Sequence, residues 1–295
     1  MQPPGVPAAR YGVSGSQGPA KADILILASY GEPAEIWFET ARELNGKGYA
    51  VWVLEPVGQG GSGRYSRLRD LGYAESLTPD VLTAKAMAQK VVHRRPLILM
   101  ASGTSAPAGV QALASGTAAE GLILTSPRLQ PDDAATLAEA RTIQMRGLGW
   151  LRADLHGGWA RRGPDDRAQG LTHDAARGRL RLAWQTANPD LRMGSPSWSW
   201  LAAFADAAHA AAAEESRLAT PVLMLEPDRT ARSARGDCQR MPHCTFQPVL
   251  GADQALELEG DSWRSAWLKQ VTEFTDKAAG GFSPPRAESS LPAGG

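Results

Sequence analysis

Apolar residues in this chain gather in short unbroken runs: DILILAS at Asp23–Ser29, YAVWVLE at Tyr49–Glu55, LILM at Leu97–Met100, GLILT at Gly121–Thr125 and PVLML at Pro221–Leu225. A run without alternation is a strand covered on both faces, the arrangement of a parallel sheet between two helical layers. Between the runs the period lengthens. Ile36, Trp37, Ala41 and Leu44 stand at helical spacing within Ala34–Lys47, and Gly46 and Gly48 close that helix. Thr78 as N-cap and Pro79 at the first position open a second helix that reaches Val92. Strand, helix and strand with short joints make a βαβ unit, so the fold class is α/β, with a mostly parallel central sheet flanked by helices. A strand at Thr245–Leu250 and an amphipathic helix at Ser262–Lys277 end the pattern.

From Arg128 to Ser216 the strands vanish, and Trp150, Trp159, Trp184, Trp198 and Trp200 all fall there. A helical stretch inserted between two sheet strands reads as a cap. The expected organisation is a disordered N-terminal tail over 1–22, a core over 23–127 and 217–278, a helical cap over 128–216, and a second loose tail over 279–295.

Candidate chemistry centres on PLILMASGTSAPAG, Pro96–Gly109, a buried strand that runs into a tight turn and then a helix, Ala106–Ala114. That is the shape of a nucleophile elbow, G-x-S-x-G, in which small residues flank a nucleophile held on a strained turn. Ala101 and Ser105 take the two small places, and the middle place is Gly103, which has no side chain. A second frame, Gly103-Thr104-Ser105-Ala106-Pro107, would make Ser105 the nucleophile; the first frame continues the strand without a gap and is preferred.

Composition narrows the partners. Basic and acidic residues number 31 each, so no global field favours nucleic acid or an anionic surface. No apolar run approaches the ~18 residues of a membrane span, and the N-terminus lacks the apolar stretch of a secretory signal. Cys238 and Cys244 read as structural thiols, because with His243 they fall short of a zinc set, and no metal or cofactor is expected. GQGGSG at Gly58–Gly63 formally satisfies a dinucleotide fingerprint. It opens no apolar helix and no strand with an acidic end follows, so it reads as a glycine-rich loop.

The residues as a whole resemble the α/β-hydrolases of the lysophospholipase L2 and monoacylglycerol lipase group, the serine aminopeptidase S33 hydrolases. The likeness runs over roughly Asp23–Asp276, carried by the front segment through GQGGSGR, by PLILMASGTSAPAG, EGLILTSPRL, LTHDAARGRLRLAW, NPDLRMGSPSWSWL and VLGADQALELEGDSWR. The cap phrases point to the bacterial lysophospholipase branch. The resemblance implies an α/β-hydrolase fold and a serine triad, but most functional positions differ. The family's His-Gly pair, whose loop supplies an oxyanion amide, is replaced by Ala28 and Ser29, with Thr104 at the other amide. The nucleophile place holds Gly103 and the base place Gln254; the acid place holds Asp228, or Thr230 in a gapless register.

Glycine cannot form an acyl intermediate, and a glutamine amide cannot take a proton from serine near neutral pH. Ser105 and Ser102 are the fallback nucleophiles, and either needs a histidine. His93 and His243 precede strands and belong at the far end of the sheet, whereas His156, His173 and His209 lie in the cap. The expected function is therefore a hydrolase homologue without serine chemistry, a pseudoenzyme binding a hydrophobic or acyl small molecule or a protein, with Trp198 and Trp200 lining the pocket or packing the cap. The alternative is a divergent ester hydrolase using Ser105 or Ser102. A cytoplasmic location with at most peripheral membrane contact is expected.

Overall fold

The apolar runs pair into one sheet. A computed structural model describes residues 6–16, 18–66, 70–91, 95–131, 133–154, 159 and 171–281. Its strands are β1 (Tyr11–Ser14), β2 (Ala22–Leu27), β3 (Tyr49–Leu54), β4 (Leu97–Ser102), β5 (Gly121–Thr125), β6 (Val222–Pro227) and β7 (Cys244–Val249). Across the sheet they lie in the order β1-β3-β2-β4-β5-β6-β7, and only β1 against β3 is antiparallel.

Helices cover both faces. Leu25, Leu99, Leu122 and Met224 meet α2 (Thr78–Val91), α3 (Ala106–Ala114) and α8 (Ala231–Arg240). Their neighbours Ile24, Ile98, Ile123 and Leu223 meet α1 (Phe38–Gly46) and α9 (Asp261–Ala279). Successive strand residues thus face different layers, and both layers are apolar, which is why the runs do not alternate. Between β5 and β6 come α4 (Ala134–Met145), α5 (Ala175–Gly178), α6 (Leu180–Ala187) and α7 (Trp198–Glu214). The last of these leans on α3 and contributes Ala211 to the core, so it belongs to the sheet's own helical layer. No described helix is long and apolar enough to cross a membrane.

Two expectations are corrected. The first concerns the N-terminal tail, because residues 11–14 are a strand paired with Val51–Leu54. The anchor is Arg10: its guanidinium donates to Glu55 at 2.8 Å and to Glu35 at 2.5 Å, and its carbonyl accepts the Glu55 N–H at 3.0 Å. Glu55 is buried and also accepts the N–H groups of Ala34 (2.8 Å) and Gly61 (2.6 Å). The glycine-rich loop wraps this cluster. At Gly60, with φ +52°, a Cβ would press on the Glu55 carboxylate, and at Gly61 on the Arg10 side chain. The glycines serve close packing around an internal ion pair, and the Gly61 N–H is spent on it.

The second correction concerns the cysteines. Cys238 and Cys244 are joined in a disulfide that ties the end of α8 to the start of β7. Six residues apart with a turn between them, their Cα atoms come within 5.4 Å, a normal bridging distance. A bridge of this kind persists in oxidising compartments and is uncommon in a reducing cytosol. At the C-terminus the expected helix extends to Ala279, and residues 282–295 of the expected tail lie outside the described residues.

The Arg10 cluster generates a stability prediction. Replacing Arg10 by Met leaves two carboxylates without their cation, and the free energy of unfolding in urea should fall by about 2–3 kcal/mol, less than the ~3–5 kcal/mol of a fully buried broken pair because the guanidinium is partly exposed. Adding Glu55→Gln should recover part of that loss.

Candidate functional site

β4 runs into one 3-10 turn, Gly103–Ser105, and then into α3. The apex is Gly103, at φ +48°, where glycine enters freely and other residues rarely do. A Cβ built there would collide with the Ser29 hydroxyl. A hydroxyl from the segment after β2 thus fills the space a side chain at the apex would take.

Its hydrogen bonds lock it there. Ser29 Oγ accepts the Thr104 N–H at 3.0 Å and lies 3.1 Å from Thr104 Oγ1. Thr104 Oγ1 in turn accepts the Tyr30 N–H at 2.9 Å, and the Ser29 N–H donates to Glu32 Oε2 at 2.7 Å. The amides of Ser29, Tyr30 and Thr104, which an oxyanion hole would leave free, all have internal acceptors. Ser105 Oγ donates to the Ala28 carbonyl at 2.5 Å. Ser102 is buried at the end of β4, where its hydroxyl helps hold the Glu32 charge. Ala28, Ser29, Ser102, Gly103, Thr104 and Ser105 are therefore brought together, with the turn apex at Gly103 rather than Ser105.

The remaining candidates stand in two loops beside it. The Gln254 carbonyl accepts Ser126 Oγ at 2.5 Å, which pins its loop to the end of β5, while the Gln254 side chain is exposed. Ser126 takes φ +43°, strain that this bond helps to hold. Asp228, exposed after β6, accepts the Gly251 N–H at 2.9 Å and so orders the same loop, and Thr230 Oγ1 donates to the Pro227 carbonyl. Among the described residues no histidine bonds to Ser102 or Ser105. His243 immediately precedes β7, at its opposite end, and His209 is exposed on α7. His93 and His156 lie outside the described residues.

Trp198 is half-buried at the first turn of α7. Trp200 is buried, stacked on Phe204 at 5.4 Å and edge-on to Tyr30 at 4.8 Å. It also lines a cavity of about 20 Å³ behind the turn, shared with Asp80, Thr104, Ser105 and Gln111. Trp200 therefore both packs and lines.

Sequence reasoning missed two carboxyls beside the turn. Burial pushes Glu32 above the ordinary carboxylate range, partly offset by the Ser29 N–H and by Arg181. Glu257 is buried in the turn before α9 and pushed up to about 8 by burial and by the charge of Glu32. The available signal was LEL, a glutamate between two leucines. Burial also pushes Asp80 up to about 7, and burial with the charge of Asp237 does the same to Glu226.

The family model described as serine aminopeptidase, S33, matches residues 18–230. Among solved structures, the chain is similar to a monoacylglycerol lipase from Paleococcus ferrophilus, at TM-score 0.73 and 15% identity over 92% of this chain and 99% of that one. A soluble variant of the Saccharomyces cerevisiae monoglyceride lipase, in complex with a substrate analogue, superposes at TM-score 0.71 and 15% identity over 95% and 98%. An enol-lactonase from Burkholderia xenovorans gives 0.60 and 17% over 91% and 96%. No curated protein sequence matches the chain significantly.

The raised carboxyls set the pH dependence of folding. A group such as Glu257 keeps its proton in the native state up to about 8, whereas its ordinary value is 4.5. The native state then binds more protons than the unfolded one, so stability is fullest below 4.5 and is lost as pH rises through about 8. Urea midpoints measured from pH 5 to pH 9 should fall, and Glu257→Gln, which mimics the protonated acid, should flatten the slope.

Proposed function

We propose that this chain, which belongs to the serine aminopeptidase S33 family of α/β-hydrolases, has given up acyl-serine chemistry and keeps its cleft for binding. The observation that carries this reading is the Ser29 hydroxyl, which stands where a side chain at Gly103 would project and consumes the Thr104 amide. Serine catalysis needs a nucleophile, a base and free oxyanion donors. Here the apex has no side chain, the base place carries an exposed glutamine, and the neighbouring amides are paired within the fold. Ser105 is an unsuitable substitute, because its hydroxyl donates into the main chain at Ala28.

Trp200, Leu77, Val81, Pro107 and Ala108 give the space behind the turn an apolar lining, although its 20 Å³ holds no more than about one water as it stands. The related lipases are named for monoacylglycerol, and a hydrophobic or acyl small molecule is the proposed ligand, one that would have to widen this space on binding. A protein partner is the second occupant to be sought.

Two measurements test the reading. Purified protein given lysophosphatidylcholine, a short p-nitrophenyl ester and a fluorophosphonate probe should show neither turnover nor labelling. Labelling that disappears in Ser102→Ala/Ser105→Ala would overturn the proposal in favour of a divergent ester hydrolase. Gly103→Ser should likewise stay silent, and should lose about 1–3 kcal/mol of stability to its positive φ and its collision with Ser29; Ser29→Gly should return part of that.

A further inference from the structure

His173 from one part of the chain and Asp253 and Glu259 from another converge at the loop that carries Gln254. His173, Asp253 and Glu259 each offer one ligand atom, and these atoms lie within 4.8 Å of one another. We propose that they form a binding site for a borderline divalent cation of the zinc type. The inference is independent of what the turn at Gly103 does.

The donor set is one imidazole and two carboxylates, with an open side. His173 Nδ1 lies 2.8 Å from Glu259 Oε1 and 3.5 Å from Asp253 Oδ2. Ligand atoms about 2.0–2.2 Å from a tetrahedral zinc stand about 3.3 Å apart, so the two separations bracket what the ion needs. The cation would take the place of the proton now shared between Nδ1 and Oε1. Three protein ligands leave a fourth position for water, and the half-exposed His173 and partly exposed Asp253 keep it open to solvent. One nitrogen and two oxygens suit zinc better than calcium, which asks for six to eight oxygens, or magnesium, which demands an octahedron.

The site is built before any ion arrives. Glu259 is buried, and its carboxylate accepts the N–H groups of Asp253 (2.6 Å), Gly260 (2.9 Å) and His173 (3.1 Å) and the Thr172 hydroxyl (3.2 Å). Those bonds keep it ionised despite burial and fix its direction, as outer-shell partners do for a metal ligand. Oε1 uses one lone pair for the Asp253 N–H and shares the other with His173, so displacing that proton leaves a coordinating pair. The His173 ring is held in plane by Trp263, stacked at 4.6 Å and 19°.

Charge points the same way. Among the described residues, the His173 ring is the only ion-pair partner of the buried Glu259, and Asp253 has in addition only the exposed Arg229 at 3.5 Å. With neutral imidazole the cluster carries two negative charges against the exposed guanidinium of Arg229. A bound ion would also join the Gln254 loop to the start of α5, across the Ala255 N–H bond to the Leu171 carbonyl at 2.8 Å.

The test uses the full chain stripped with EDTA, dialysed to equilibrium against zinc and analysed for metal, with cobalt(II) as a visible probe of coordination. One zinc per chain is expected, with affinity falling as pH drops because the Nδ1 proton competes. Asp253→Asn should weaken binding by at least about tenfold, and His173→Gln, which can still hydrogen-bond Glu259, should abolish it. His209→Ala should leave it unchanged. Failure to bind zinc at millimolar concentration, or binding that survives His173→Gln, would overturn the proposal. Ester turnover plays no part in these readouts.

Discussion

A parallel sheet covered on both faces can show its backbone to solvent only at the ends of its strands, and that constraint organises this molecule. Leu97–Ala101 is fully enclosed, so whatever β4 carries to the surface must appear where the strand stops. The chain there must reverse into α3 within three residues. Gly103 makes that possible by taking a conformation other residues resist. The same end of the sheet collects the segment after β2, the loop after β7 and Ser126 after β5, which is why six of the candidate residues meet although they come from separate parts of the chain.

What has been assembled there is a closed set of hydrogen bonds. In a working hydrolase the donors near the elbow must be left unsatisfied until substrate arrives, a cost borne for catalysis. Here the Thr104, Tyr30 and Ser29 N–H groups are accepted by Ser29, Thr104 and Glu32 respectively. With no side chain at Gly103 nothing crowds Ser29 out of the apex, so the two residues suit each other. The raised pKa values of Glu32 and Glu257 belong to the same region, where carboxyls have been drawn into an interior that favours their protonated form.

The central strands, the helical insert and the glycine at the elbow could all be read from the chain because each depends on neighbours in sequence. A run such as Leu97–Met100 announces its own burial. Features that depend on distant residues could not be read. β1 exists because Arg10 reaches Glu35 and Glu55, and nothing within residues 1–22 hints at those partners. The Ser29 hydroxyl was legible as a replacement, but its occupation of the apex requires the φ of Gly103 and the approach of two strands. The disulfide required knowing that the turn between Cys238 and Cys244 brings them face to face. His173, Asp253 and Glu259 escaped for the same reason, since no spacing along the chain links the first to the other two.

The arm that begins this fold also says something about what a shorter relative would face. Glu55 sits at the end of a central strand with its charge turned inward, and its cation comes from outside the stretch that matches the family model, which starts at residue 18. A chain that began at β2 would inherit the acid without its counter-charge. Arm, acid and glycine loop therefore form one packed unit: the buried charge of Glu55 and the close-packed loop around it draw on an arginine delivered from upstream.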